Sequence, residues 1–90
     1  MREAAVVLDN RLGLHARAAA KVVRAAQHFE SAITLIAANG SQADAKSILS
    51  ILALAAGKGT RITLTADGPD EADAIDQLQN LFANNFDEEQ

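Results

Sequence analysis

The sequence predicts an α+β fold, an open-faced sandwich in which a four-stranded antiparallel sheet carries three helices on one face. Segments with the two-residue alternation of strands and segments with the spacing of amphipathic helices follow one another in the order β-α-β-β-α-β-α. An Asn-Gly pair between two of the strands is typical of a hairpin. The length of 90 residues suits one domain, which we expect to span residues 1–90.

The first half of the chain is predicted to form a strand, a helix and a hairpin. Apolar residues recur at helical spacing as far as Phe29, so helix one is expected to end near that residue. Asn39 and Gly40 are predicted to hold the two φ > 0 positions of a type I′ turn. The predicted elements are strand one at 4–8, helix one from 16, strand two at 33–37 and strand three at 41–44.

The second half is predicted to form a helix, a strand and a last helix. Ser47 is suited to cap helix two, after which Gly57 and Gly59 can take the left-handed conformation. Strand four is expected at 61–66, and helix three follows Gly68 and Pro69, with Asp70, Glu71 and Asp73 near its N-terminus and an apolar stripe of Ile75, Leu78 and Phe82. The acidic tail at about 87–90 is expected to fray.

The charge distribution indicates a basic patch on an acidic protein. The net charge is −4, yet residues 10–29 contain no acidic residue and four basic ones, which are Arg11, Arg17, Lys21 and Arg24. Such a patch can attract a small anion or an acidic partner, but without excess positive charge or stacking aromatic residues it is unsuited to nucleic acid.

The absence of cysteine excludes disulfides and thiolate metal sites. No signal peptide or membrane-length apolar run is visible, so we expect a cytoplasmic protein.

The stretch "GLHARAAA" carries the chemistry that the sequence indicates. His15 falls at or beside the N-cap of helix one, and Arg17 lies in the first turn. Backbone N–H groups and an arginine there would stabilise an anion, so the arrangement suits a phosphoryl group carried on the imidazole. The simpler interpretation, a solvated histidine beside a cap, is favoured by spacing alone. His28 is expected only to stabilise the end of the same helix.

"LGLHARAAA", followed about thirty residues later by "AKSILSILALAAGKGT", resembles the histidine-containing phosphocarrier family, HPr, of the phosphoenolpyruvate-dependent phosphotransferase system. The resemblance covers essentially the whole chain. It implies that His15 is phosphorylated through Nδ1, that Arg17 is its partner in transfer, and that Ser47 is a regulatory serine phosphorylated by an HPr kinase/phosphorylase. The family often has proline where this chain has Ala18, a change that weakens pre-organisation of the first helical turn.

The resemblance also implies protein partners. An Enzyme I type protein would supply the phosphoryl group and an Enzyme IIA type protein would receive it. Helix two is apolar nearly all round, so we expect Ile51 and Leu54 to face the core while other residues form an outward docking surface. The alternative is a short helix that buries most of itself. The predicted docking residues are Ala16, Ala20, Ile48, Leu49, Leu52 and Ala53, rimmed by Arg17, Lys21 and Arg24.

"NRLGLHARAAAK" and the ending "LFANNFDEE" resemble the nitrogen-related branch of the family more than the sugar-transport branch, which stays an alternative. A small-molecule regulatory domain is a further alternative, although it would not explain why His15 and Arg17 lie together. The chain lacks the aromatic residues that an RNA-binding domain would need for base stacking. It also lacks the nucleotide-binding loop of an independent kinase or hydrolase. We therefore expect a monomeric carrier that is not an enzyme, has no metal or cofactor of its own, and does not bind membranes.

Overall fold

A computed structural model describes residues 1–87 of the chain. Its strands form one antiparallel sheet in the order β1-β4-β2-β3, and the helices cover one face. The predicted open-faced sandwich and its order of elements are confirmed. The elements are β1 Arg2–Val7, α1 Ala16–Ala26, β2 Ala32–Ala37, β3 Gln42–Asp44, α2 Ile48–Ala53, β4 Arg61–Asp67 and α3 Glu71–Ala83.

The core lies between the sheet and the helices. Alternation along the two central strands sends every second side chain inward, and Leu35 of β2 lies opposite Leu64 of β4 in the register. Four buried residues of α1 include three alanines, which let this helix approach the sheet closely. The buried side chains of the central strands are Ile33, Leu35, Ala37, Ile62, Leu64 and Ala66, and those of the helices include Val22, Ile51, Ile75, Leu78 and Phe82.

Helix α1 ends at Ala26, so the prediction of an end near Phe29 is wrong by about one turn. Past this point the N–H groups of His28 and Phe29 donate to carbonyls three residues back, at 3.2 and 3.1 Å, which tightens the chain before it enters β2. The Lys46 Nζ atom donates to the Phe29 carbonyl at 2.8 Å. Strand β1 also begins earlier than predicted, at Arg2, and ends at Val7.

The β2–β3 connection is not the predicted type I′ turn. Gly40 has a φ of 90°, but Asn39 is not among the residues with positive φ. The Gly40 N–H donates to the Ala37 carbonyl at 2.9 Å, and the Asn39 side chain accepts from the N–H of Ser41. The connection, residues 38–41, therefore combines an ordinary turn with one left-handed glycine.

After α2 the left-handed position is taken by Ala55, with a φ of 51°, and not by Gly57. The Ala55 N–H donates to the carbonyl of Leu52 and closes the helix end. Gly59, with a φ of 88°, takes the conformation predicted for it. Helix α2 is therefore short because its chain turns away before either glycine is reached.

The C-terminal part of the described chain contributes to the core, which the expectation of a frayed end did not include. Phe86 is buried and its ring packs edge-on against Phe82, with ring centroids 4.8 Å apart. A left-handed turn at Asn85–Asp87 brings it there, and the Lys21 Nζ atom donates to the Phe86 carbonyl at 2.5 Å. The remainder of the tail predicted to fray, residues 88–90, lies outside the described residues.

Asp70 ties the start of α3 to the loop between α1 and β2. Its carboxylate accepts hydrogen bonds from the N–H of Glu30 at 2.9 Å and from the N–H and hydroxyl of Ser31 at 3.0 and 2.5 Å. The Ser31 hydroxyl and the Glu30 N–H favour the charged carboxylate, so they lower the pKa of Asp70 below its usual value. Asp70 therefore lies in the favourable field of the helix N-terminus, as predicted, and in addition its hydrogen bonds join α3 to residues 30–31.

This pKa shift predicts a pH-dependent stability. Because the folded state has the lower pKa, the stabilisation is present above the ordinary aspartate pKa of about 4 and is lost as the pH falls through the folded pKa. Asp70→Asn should melt at a lower temperature than the parent at pH 7. Thermal melts from pH 7 to pH 2 should show the difference shrinking below about pH 4; a constant difference across that range would contradict the assignment.

Candidate functional site

A buried asparagine fixes the connection between β1 and α1. Asn10 is 1% exposed, and its carbonyl accepts from the Gly13 N–H at 3.2 Å, which closes a turn over residues 10–13. Its Nδ2 atom also donates to the Gly13 carbonyl at 2.8 Å. Both polar groups of the Gly13 backbone are therefore bound by one residue, so the turn has a defined shape.

Gly13 lies against the segment that follows α2. Its φ is 63°, and a Cβ built there would collide with the carbonyl oxygen of Ala56 and lie 2.7 Å from the Gly57 Cα. The next residue, Leu14, is 4% exposed and its N–H donates to the same Ala56 carbonyl at 2.9 Å. Glycine is required here both by conformation and by space, and the contact brings the start of α1 to the end of α2.

His15 is the N-cap residue of α1, as predicted. Its backbone is extended, with φ −77° and ψ 177°, and its Nδ1 atom accepts a hydrogen bond from the Arg17 N–H at 3.2 Å. An Nδ1 that accepts holds a lone pair, so in the neutral ring the proton lies on Nε2. The ring is half-buried. The lone pair of Nδ1 therefore faces the Arg17 amide at the helix N-terminus.

The surroundings of this nitrogen favour an anion. No acidic residue occupies the first turn of α1, and the exposed Arg17 lies within it. The first N–H groups of a helix have no carbonyl partner inside the helix and carry its positive end. A phosphoryl group attached to Nδ1 would meet these amides directly.

Ser47 caps α2, which confirms that part of the prediction. Its Oγ atom accepts from the Ser50 N–H at 3.2 Å, and the Ser50 Oγ accepts from the Asp44 N–H at 2.9 Å. The Ser47 N–H donates to the Asp44 carbonyl at 3.0 Å. This corner holds the first turn of α2 in place, with the Ser47 side chain half-buried.

The apolar surface of α2 is narrower than predicted. Leu49 is 79% exposed, and Ile48, Ala53 and Ala16 are also exposed. Leu52 and Ala20, which were predicted to face outward, are half-buried, and Leu52 packs against the core. The reason is that a helix of six residues turns Leu52 as well as Ile51 and Leu54 toward the molecule.

The basic residues predicted at the rim of this surface differ in their exposure. Arg24 is exposed on α1, but Lys21 is half-buried and its Nζ atom binds the Phe86 carbonyl, so this lysine holds the C-terminal turn as well as bordering the surface. One exposed apolar residue was missed by the sequence analysis, namely Leu12, which is 62% exposed. Its position in the turn before His15 could have indicated that it belongs to the functional surface.

Within residues 1–87 no group of three or more His, Cys, Asp and Glu side chains is placed to hold a metal ion. In that same part of the chain, no helix combines the length and the apolar character needed to cross a membrane.

Comparison with known proteins assigns the family. Residues 2–84 match the family described as the PTS HPr component phosphorylation site. The fold, the capping histidine and this match agree, and the chain belongs to the HPr family of phosphocarriers. It is accordingly a carrier of phosphoryl groups in the phosphotransferase system and not an enzyme.

Relatives resemble the chain along nearly its full length. The phosphocarrier protein HPr of Cupriavidus necator is 52% identical over 79 residues, which cover 88% of each chain. The phosphocarrier protein NPr of Proteus mirabilis is 40% identical over 84 residues, which cover 93% of each. Among solved structures, HPr-C-His from Thermoanaerobacter tengcongensis has a TM-score of 0.93 and 39% identity, with full coverage of both chains.

Proposed function

We propose that His15 is the residue that carries the phosphoryl group, and that its Nδ1 atom is the point of attachment. The observation that carries the proposal is the hydrogen bond of 3.2 Å from the Arg17 N–H to Nδ1, which aims the lone pair at the helix N-terminus. A donor's phosphorus atom approaching that lone pair enters the positive field of α1.

The transfer step exchanges one bond to phosphorus for another. The Nδ1 lone pair forms the new N–P bond while the bond between phosphorus and the donor breaks and its electron pair returns to the donor. The Arg17 N–H, which no longer has a lone pair to bind at Nδ1, then donates to a phosphoryl oxygen. The Arg17 guanidinium adds charge that cannot be lost at neutral pH. Transfer onward to an acceptor reverses these events.

The docking surface is proposed to consist of the exposed Ala16, Ile48, Leu49 and Ala53, with the half-buried Ala20 and Leu52 beside them and Arg17, Lys21 and Arg24 at its rim. The exposure of Leu49 and Ile48 supports it most strongly, because exposed apolar side chains become buried in an interface. An Enzyme I type donor and an Enzyme IIA type acceptor would use it in turn. The chain is proposed to act as one monomeric domain in the cytoplasm.

The acceptor is proposed to belong to the nitrogen-related branch. The sequences "NRLGLHARAAAK" and "LFANNFDEE" support this choice, as does the similarity to a relative named NPr. Sugar transport is the second candidate, supported by the higher identity to a relative named HPr.

Phosphorylation of His15 can be tested by mass. Incubation with phosphoenolpyruvate and an Enzyme I type protein should add one acid-labile phosphoryl group to the parent and none to His15→Ala. The matched control is His28→Ala, which changes the only other histidine of the chain and should gain the group as the parent does. Phosphorylation of His15→Ala would overturn the proposal.

The phosphorylated parent from this experiment also distinguishes the branches. Mixed with a nitrogen-type or a sugar-type Enzyme IIA, it should lose its phosphoryl group faster to the nitrogen-type protein. Faster transfer to the sugar-type protein would move the chain to the other branch and leave the role of His15 unchanged.

Ser47 is proposed as the site of regulatory phosphorylation. A phosphate there would add about −1.5 to −2 charges beside an apolar surface that partners must desolvate. Aspartate caps a helix as well as serine, so Ser47→Asp should melt at or above the parent's temperature yet have a higher Michaelis constant with Enzyme I. Ser47→Ala should lose about 0.5–2 kcal/mol of stability and keep normal transfer.

The control for added charge is Ser41→Asp, which places a carboxylate on an exposed residue of the β2–β3 connection. It should leave the Michaelis constant unchanged. Equal constants for Ser47→Asp and the parent would leave Ser47 as a cap without a regulatory role.

A further inference from the structure

Leu12 is an apolar side chain held in water next to the proposed phosphorylation site. It is 62% exposed, and only two residues separate it from His15, so their Cα atoms lie within about 11 Å of each other. Leu12 is one of five exposed large apolar residues in the described part of the chain, and three of them, Leu12, Ile48 and Leu49, lie in the turn before His15 or in α2.

The local structure does not require leucine at this position. Leu12 is the third residue of the turn closed by the Gly13 N–H and the Asn10 carbonyl, and neither Leu12 nor Arg11 has a positive φ. Such positions are occupied most often by small or polar residues that bind the backbone. Asparagine at the first position and glycine at the fourth already satisfy the turn.

The surrounding contacts hold the backbone on both sides of Leu12. The Asn10 side chain binds the Gly13 carbonyl, Gly13 lies against Ala56 and Gly57, and Leu14 is buried in the core. Because the backbone of this turn is already held, only the Leu12 side chain would lose freedom when a partner covers it. Burial of its exposed surface would then favour association.

We propose that Leu12 is a contact residue for the Enzyme I type donor, and that it extends the apolar docking surface from α2 to the loop before His15. The proposal rests on the proposed function of His15. A donor that transfers a phosphoryl group to His15 must cover the surroundings of that ring and exclude water from them. Leu12 contributes to this by packing against the donor, and it does not touch the reacting atoms.

The test is Leu12→Asn, which suits the turn and removes the apolar surface. The variant should melt within about 4 °C of the parent, since surface changes of this kind usually alter stability by less than about 0.5 kcal/mol. Its Michaelis constant with the Enzyme I type protein should rise about three- to tenfold at unchanged kcat. Leu12→Met, which restores an apolar side chain, should return the constant to that of the parent.

The matched control is Val7→Thr. Val7 is 53% exposed on β1, and its neighbours Val6 and Leu8 face the core, so its own side chain lies on the open face of the sheet. This variant should keep the parent's Michaelis constant. An unchanged constant for Leu12→Asn, or equal increases for Leu12→Asn and Val7→Thr, would overturn the contact. Failure of the parent itself to be phosphorylated would instead overturn the proposed function, and this inference with it.

Discussion

The contact between Gly13 and the backbone of Ala56 and Gly57 is the constraint on which the site depends. It requires a left-handed residue without a Cβ, and it places the end of the β1–α1 connection against the chain that leaves α2. With Leu14 bound to the same carbonyl, the chain direction into α1 is set. His15 therefore becomes the cap, and its Nδ1 atom accepts a hydrogen bond from the Arg17 amide.

The sequence was sufficient to predict the order of elements, because alternation and helical spacing depend on which face of each segment is buried. His15 at the N-cap and Ser47 as a cap were predictable for a similar reason, since capping is a local interaction. The ends of elements were not. Helix α1 ends early because the N–H groups that follow it donate to carbonyls three residues back. After α2, Ala55 and not Gly57 takes the left-handed conformation, although alanine disfavours that conformation.

Long-range contacts explain the remaining differences at the site. The sequence pattern places Lys21 on the charged face of α1. Its Nζ atom nevertheless donates to the carbonyl of Phe86, which is 65 residues away in the sequence. That contact exists because Phe86 packs on Phe82. The sequence pattern of helix three predicted a core position for Phe82 but gave no such prediction for Phe86. Leu52 likewise turns inward because a helix of six residues must bury several of its apolar side chains to be stable.

The central claim is that the N-terminus of α1 receives a phosphoryl group on the Nδ1 atom of His15. Phosphorus and nitrogen NMR of the phosphorylated, nitrogen-15 labelled protein tests it most directly. The spectra should show a one-bond coupling between phosphorus and Nδ1, together with a shift of the Arg17 amide proton as it changes its acceptor from the ring to a phosphoryl oxygen. Coupling to Nε2, or an Arg17 amide that does not change on phosphorylation, would contradict it.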